Sequence, residues 1–139
     1  MESDCIFCKI VAGQAPAARI YEDELCLAFL DINQATHGKT LVIPKAHYQD
    51  IRDTPDEDLA HLAKVTKAII RHFESIGLAH DFQVFNTCGE LGQQSVFHLH
   101  FHIMPRTADD GADYWLPRNP ADAHRMQDLA AKLRMDRRI

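Results

Sequence analysis

The sequence predicts an α+β fold: a mostly antiparallel sheet of about five strands, one long central helix, a short N-terminal helix and a C-terminal helix. Three observations predict it. Short apolar runs have the composition of β-strands, and an acidic turn joins the first two of these runs. Apolar residues with a strong helical period appear only after the third apolar run. The chain has 139 residues, the usual size of one domain, so we expect a single domain over 1–139.

The first half of the chain is expected to form a short helix and three strands. Asp4 is placed to cap a helix over residues 5–12 (CIFCKIVA), which Gly13 ends. The residues of this helix predicted to face inward are Ile6, Phe7, Ile10 and Val11. Strands are indicated at 18–22 (ARIYE), 25–31 (LCLAFLD) and 39–44 (KTLVIP).

The second half begins with the clearest helix signal in the chain. Thr54, Pro55 and Glu57 combine an N-cap, a proline at the first helical position and the glutamate of a capping box. Apolar residues then recur every three or four positions until Gly77: Leu59, Leu62, Val65, Ile69, Phe73 and Ile76. Two further strands are indicated at 81–86 (DFQVFN) and 96–105 (VFHLHFHIMP), and a final helix after Asn119-Pro120.

Composition narrows the class of protein. Hydrophobic residues make up 46% and charged residues 25%, as in an ordinary globular domain. No apolar run approaches the ~18 residues of a membrane span, and the N-terminus lacks the features of a signal peptide, so we expect a cytoplasmic protein without membrane partners. The net charge of −5 argues against a nucleic-acid partner. The pair Cys5 and Cys8 is typical of a metal clip or a redox motif.

Three histidines in the last predicted strand form the most informative pattern. Because side chains alternate along a strand, His98, His100 and His102 are expected to share one face, with Leu99 and Phe101 on the other. Such a row is able to hold a catalytic metal. Alternatively, one imidazole is able to attack phosphorus while its neighbours position the phosphate.

Residues 92–106 (GQQSVFHLHFHIMPR) resemble the motif of the histidine triad (HIT) family, H-φ-H-φ-H-φ-φ, where φ is apolar. Three further segments resemble the same family in the same order: 5–13 (CIFCKIVAG), 21–32 (YEDELCLAFLDI) and 40–47 (TLVIPKAH). The resemblance covers residues 5–106 and leaves 107–139 as a variable tail. It implies a HIT-like fold, a nucleotide substrate and a homodimer.

The resemblance also implies roles for individual residues. His100 corresponds to the nucleophile that forms a covalent nucleotidyl-histidine, and His102 to a phosphate-binding residue beside it. Asp31 corresponds to the acid that binds the ribose hydroxyls. Residues that correspond to phosphate or leaving-group contacts are Asn86, Gln94 and Ser95. Residues that resemble the apolar slot for a purine base are Ile6, Phe7, Ile10, Phe29 and Ile32.

A second implied site is structural. Relatives with this N-terminal segment are thought to bind zinc, which implies Cys5, Cys8, His47 and His98 as ligands, with no organic cofactor. His98 thereby belongs to both the triad and the zinc site. Trp115, in the tail, is expected either to reach a partner's site or to pack within its own chain.

The sequence departs from the family pattern in two places. Asn86 lies one residue further before the triad than is usual, and Gln93 stands where glycine is common, so the 86–94 loop is expected to bulge. Lys39 stands where many relatives carry a histidine. Three functions remain open at this stage: a nucleotidyl hydrolase or transferase, a metal-dependent hydrolase, and a nucleotide-binding scaffold without catalysis.

Overall fold

The computed structural model describes residues 4–139. The elements, in chain order, are α1 (Ile6–Val11), β1 (Arg19–Glu22), β2 (Cys26–Leu30), β3 (Thr40–Pro44), α2 (Asp56–Ser75), β4 (Asp81–Asn86), β5 (Phe101–Arg106) and α3 (Ala123–Leu133). The five strands form one sheet in the order β1-β2-β3-β5-β4, and every pair is antiparallel. The predicted α+β fold is confirmed.

The sheet carries a buried cluster on each face, which explains why its central strands are apolar throughout. In β2, Cys26 and Ala28 join the cluster around α2, whereas Leu27 and Phe29 join the cluster around α1. Strands buried on both faces lose the apolar–polar alternation of half-exposed strands. The sheet therefore separates α2 from α1, and the α1 face is the one that carries the histidines.

Both helix starts differ from the expectation. Cys5, not Asp4, caps α1, because its sulfur accepts a hydrogen bond from the amide of Cys8. Ile6 does not face inward; its side chain is 46% exposed, since Phe7 and Ile10 already occupy the buried side of this short helix. Thr54 does not cap α2, because its hydroxyl donates to the carbonyl of Asp50 instead. Pro55 is itself the N-cap residue, so the first helical position is Asp56 and not Pro55 as expected.

The last strand is shorter than predicted. β5 begins at Phe101, where it pairs with Val42 of β3 and Asn86 of β4. Residues 96–100 lie before the ladder, and the amide of Leu99 donates instead to the carbonyl of Tyr48 at 2.7 Å. His98 and His100 therefore lie on a segment that precedes the sheet, and His102 is the one triad histidine in a paired strand.

The C-terminal helix α3 begins after Asp122, whose carboxylate accepts from the amides of His124 and Arg125. None of its residues is buried, although Met126, Leu129 and Leu133 lie along it. No helix within 4–139 combines the length and apolar character that crossing a membrane requires.

Candidate active site and metal centre

His98 and His100 point toward α1, and His102 lies beside His100, so the three imidazoles are adjacent as the alternation predicts. His98 and His100 are buried, and their rings lie edge-on to Phe7 of α1, with centroids 5.8 and 5.1 Å from its ring. Leu99 and Ile103 face the other way and join the cluster around α2. The apolar residues thus anchor the segment while the imidazoles collect on one side.

His100 is held in one tautomer by its own backbone. Its Nδ1 lies 2.7 Å from the carbonyl oxygen of His98, and because a carbonyl only accepts, Nδ1 carries the proton and Nε2 carries the lone pair. Burial lowers the pKa of His100, which favours the neutral ring. The side-chain amide of Asn86 donates to the carbonyl of His100 at 2.9 Å and fixes the backbone there.

His102 stands beside His100, with ring centroids 4.8 Å apart. Its ring stacks on Phe85 of the neighbouring strand at 4.3 Å and 10°, across a direct register pair. Burial lowers the pKa of His102 to about 4, so the ring is neutral at pH 7. Its Nδ1 is buried and has no hydrogen-bond partner among residues 4–139.

Asp31 and Lys39 form an ion pair near these rings. The Nζ of Lys39 lies 2.6 Å from Oδ2 of Asp31, and both side chains are largely buried. The other oxygen, Oδ1, accepts from the amide of Asn33 at 2.9 Å. Lys39 also lies 5.9 Å from the ring of Phe85, the residue that stacks on His102.

The loop between β4 and the triad is built around the side chain of Gln94. The side chain of Gln94 accepts from the amide of Gly89 and donates to the carbonyls of Gln49 and Val96. The structure therefore uses this amide to close the loop. Gln93 has a φ of +72°, the left-handed region that glycine adopts easily. Ser95 is exposed at the end of the loop.

The predicted base-binding residues divide into two groups. Phe7, Ile10 and Phe29 are buried together on the α1 face, and the rings of Phe7 and Phe29 meet edge-on at 5.5 Å. Ile6 and Ile32 are exposed, and Ile32 is fully so because it lies on the loop after β2. A contact of these five residues with a base stays a prediction.

Two residues of this site are not identified by the sequence pattern. The pattern predicts only that Phe85 belongs to a strand, whereas its pairing with His102 brings it against the triad. Lys39 departs from the family pattern, and in the structure it binds Asp31. The pattern of each segment gives no strand register, so neither contact was visible in the sequence.

Cys5, Cys8, His47 and His98 come together as a possible metal centre. Their ligand atoms all lie within 4.8 Å of one another. The Nδ1 of His98 is 3.3 Å from the sulfur of Cys5 and 3.6 Å from that of Cys8, and the Nδ1 of His47 is 3.3 Å from the sulfur of Cys8. Neighbouring ligands of a tetrahedral zinc with these atom types are about 3.5 Å apart.

The orientation of His98 fits the same use. Its Nε2 lies 2.8 Å from the carbonyl oxygen of Pro44, so Nε2 carries the proton and the lone pair of Nδ1 faces the sulfurs. Burial lowers the pKa of His98 to about 4, which keeps that lone pair free. The donor set of two sulfurs and two imidazole nitrogens suits a closed, structural metal site.

A second group of metal-ligating side chains, Asp23, Cys26 and His61, has a different character. The carboxylate of Asp23 accepts from Tyr21, His61 and the amides of Leu25 and Cys26. Burial raises the pKa of Cys26 to about 12, which keeps its thiol protonated. This group joins the β1–β2 turn to α2. Each carboxylate oxygen of Asp23 already accepts two hydrogen bonds, so the group does not have the character of a cation site.

Comparison with known proteins decides the family. The family model described as "HIT domain" matches residues 12–109, well over half of the chain. The chain belongs to the HIT family. A relative from Bacillus subtilis, named Protein hit, is 46% identical over 132 residues, covering 91% of this chain and 87% of its own.

Other members of the HIT family carry more specific names. The adenosine 5'-monophosphoramidase hnt1 of Schizosaccharomyces pombe is 38% identical over 106 residues, covering 76% of this chain and 77% of its own. A Zn-bound histidine triad family protein from Mycobacterium smegmatis has a solved structure that matches with a TM-score of 0.76 and 43% identity, covering 94% of this chain and 93% of that one.

Proposed function

We propose that this HIT protein hydrolyses or transfers nucleoside monophosphoryl groups, such as those of purine nucleoside phosphoramidates or acyl-adenylates, through a covalent intermediate on His100. The observation that carries the proposal is the hydrogen bond from Nδ1 of His100 to the carbonyl of His98. This bond directs the lone pair to Nε2 in a ring whose lowered pKa keeps it neutral. A neutral, oriented imidazole is a competent nucleophile toward phosphorus.

The proposed reaction has two displacements. In the first, the Nε2 lone pair forms a bond to the α-phosphorus while the bond from phosphorus to the leaving nitrogen or oxygen breaks, and the leaving atom takes the electron pair and a proton from solvent. In the second, water forms a bond to phosphorus and gives up a proton to solvent, the Nε2–phosphorus bond breaks with its electron pair returning to Nε2, and a nucleoside monophosphate is released. Another acceptor in place of water gives transfer.

Three neighbours support the first displacement. His102 lies 4.8 Å from His100, ring to ring, and in this proposal it donates a hydrogen bond to a phosphoryl oxygen. The hydroxyl of Ser95 is exposed and has no hydrogen-bond partner within the described chain, which leaves it available to the leaving atom. Asn86 holds the backbone of His100 and so fixes the direction of attack.

We propose a purine ribonucleotide as the substrate. The name of the Schizosaccharomyces pombe relative supports an adenosine phosphoramidate in particular. In this proposal Asp31 accepts hydrogen bonds from the ribose hydroxyls, and the buried aromatic rings of Phe7 and Phe29 contribute to the apolar slot for the base.

We propose that Cys5, Cys8, His47 and His98 hold a structural zinc ion. The Zn-bound relative from Mycobacterium smegmatis and the geometry of the four side chains support it. When bound, zinc supplies a cross-link that ties α1 to the segment carrying the triad. Metal analysis tests this: Cys5→Ser is expected to lose the stoichiometric zinc that wild type retains, while Cys88→Ser, outside the cluster, is expected to keep it. Equal zinc in all three proteins would contradict the assignment.

Two alternative functions make different predictions. A metal-dependent hydrolase needs the triad itself as ligands, but within residues 4–139 only His98 of the three belongs to a group of metal-ligating side chains. A scaffold needs no turnover. Metal analysis of His102→Ala separates the first from the proposed function: a metal held by the triad would be lost, whereas zinc held by Cys5, Cys8, His47 and His98 would remain. Wild type that binds nucleotide but shows no turnover would favour the scaffold.

The direct test is turnover of adenosine 5'-phosphoramidate. Wild type is expected to release AMP, and His100→Ala to lose at least about a thousandfold in kcat, as expected when a covalent nucleophile is removed. His80→Ala, which changes an exposed histidine after α2, is the matched control and should retain wild-type activity. Full activity in His100→Ala would exclude the proposed intermediate.

We also propose a homodimer. β4 is an edge strand of the sheet, and Val84 on it is 47% exposed. A depression of about 380 Å³ beside it is lined by apolar atoms of Ile70, Val84 and Phe101. An exposed edge with apolar neighbours favours pairing with another sheet. Light scattering should give twice the chain mass for wild type and the chain mass for Val84→Lys; a monomeric wild type would contradict this.

A further inference from the structure

The ion pair between Asp31 and Lys39 stands at the junction of two strands. The amide of Asp31 donates to the carbonyl of Lys39 at 3.0 Å, so the two residues close the loop that joins β2 to β3. Gln34 binds both carbonyls from within that loop, at 2.7 and 2.8 Å. The backbone of both residues is therefore fixed, and the orientation of the carboxylate depends on its own contacts.

The contacts of the Asp31 carboxylate use one hydrogen-bond acceptor position on each of its oxygens. Oδ1 accepts from the amide of Asn33 and Oδ2 accepts from Nζ of Lys39. A carboxylate has about four acceptor positions, two on each oxygen. One position on each oxygen is thereby used and one on each remains, which matches two adjacent hydroxyl donors. The side chain of Asp31 is also the more exposed of the pair, at 15% against 9% for Lys39.

The surroundings of Lys39 direct its charge toward Asp31. Its ammonium group lies over the ring of Phe85, which stacks on His102, and its side chain is only 9% exposed to solvent. Because Phe85 stacks directly on His102 at 4.3 Å, the ion pair lies beside the triad. As a donor without acceptor positions, Lys39 restrains the carboxylate without competing for hydroxyl donors.

We infer that Lys39 is a positioning residue for substrate recognition: by holding Oδ2 of Asp31 it presents the two remaining acceptor positions to the 2'- and 3'-hydroxyls of a ribonucleotide. The inference rests on the proposed function, because it takes Asp31 as the ribose-binding acid. It makes the preference for ribose over 2'-deoxyribose depend on a lysine that does not touch the sugar.

The test uses calorimetric titration of the full chain with AMP, 2'-deoxy-AMP and adenosine. Wild type is expected to bind AMP at least about tenfold more tightly than 2'-deoxy-AMP, the value of one hydrogen bond to a charged group. Lys39→Met is expected to reduce this ratio to about threefold or less and to weaken AMP and adenosine alike. Lys39→Arg, which keeps a donor, is expected to restore most of the ratio.

A double variant separates this role from a merely structural one. If Lys39 acts through the carboxylate, Lys39→Met changes the ratio no further in an Asp31→Ala background. An unchanged ratio in Lys39→Met overturns the inference. So does a loss confined to AMP with adenosine unaffected, because that pattern makes Lys39 a direct phosphate ligand.

Kinetics keep the two proposals apart. For a phosphoramidate substrate, Lys39→Met is expected to raise KM for the ribose form by a larger factor than it lowers kcat, because the nucleophile His100 is retained. If wild type turns over substrate but the ribose preference is the same in Lys39→Met, only the inference about Lys39 is overturned. If the ribose preference falls in Lys39→Met but wild type forms no product, only the catalytic proposal is overturned.

Discussion

Gln94 offers a quantitative test of how the loop before the triad is held. Its buried side chain makes three hydrogen bonds to backbone groups, with the amide of Gly89 and the carbonyls of Gln49 and Val96. Gln94→Leu keeps the approximate volume and removes all three. At about 1 kcal/mol for each group left without a partner, the free energy of unfolding should fall by about 3 kcal/mol.

Chemical and thermal unfolding measure this change. For a domain of this size, about 3 kcal/mol corresponds to a Tm lower by about 6–12 °C. Gln14→Leu, at an exposed position, is the control and should stay within about 0.5 kcal/mol of wild type. A loss below about 1 kcal/mol in Gln94→Leu would refute the reasoning.

Three other expectations follow from the structure. Gln93→Gly should raise the free energy of unfolding by about 0.5–1 kcal/mol in urea titrations, because φ is +72° there; a loss of stability would contradict this. Gly89→Ala, at a φ of +85°, should lower stability by about 1 kcal/mol in the same assay, and no change would contradict the strain argument. Burial raises the pKa of Asp23, but hydrogen bonds from Tyr21, His61 and two amides outweigh it and hold that pKa well below 3.8. The free energy of unfolding of wild type should therefore decrease as the pH is lowered below about 4, and this decrease should be smaller in Asp23→Asn.

The sign of the pH effect follows from linkage. A carboxyl whose folded pKa is lowered stabilises the protein above its unfolded pKa, and this contribution is lost as the pH falls toward the folded value. Asp110 acts in the same direction, since Arg106 lowers its pKa. An equal acid response in Asp23→Asn would show that the loss arises elsewhere.

The parts of the fold that the sequence predicts well are those governed by local patterns. The alternation from His98 to Ile103 placed the imidazoles and the apolar side chains on opposite sides, and the apolar recurrence from Leu59 to Phe73 identified α2. The first pattern reflects the two-residue period of an extended segment, and the second reflects burial of one face of a helix.

The parts that it missed depend on competition between partners. The Thr54 hydroxyl donates to the carbonyl of Asp50 instead of accepting a hydrogen bond from an amide in the first turn of α2. β5 begins only at Phe101 because the amide of Leu99 is bound by Tyr48 instead of a strand. The pairing of Phe85 with His102 depends on register, which neither strand encodes alone.

The central claim is that Nε2 of His100 forms a bond to phosphorus. The most direct measurement mixes wild type rapidly with adenosine 5'-phosphoramidate, stops the reaction in alkaline denaturant, which preserves phosphorus–nitrogen bonds, and maps the modified peptide by mass spectrometry. We expect one adenylyl group on His100 that forms and decays at rates consistent with turnover. Turnover without an adduct on this residue, or an adduct on His98 or His102, would contradict the account.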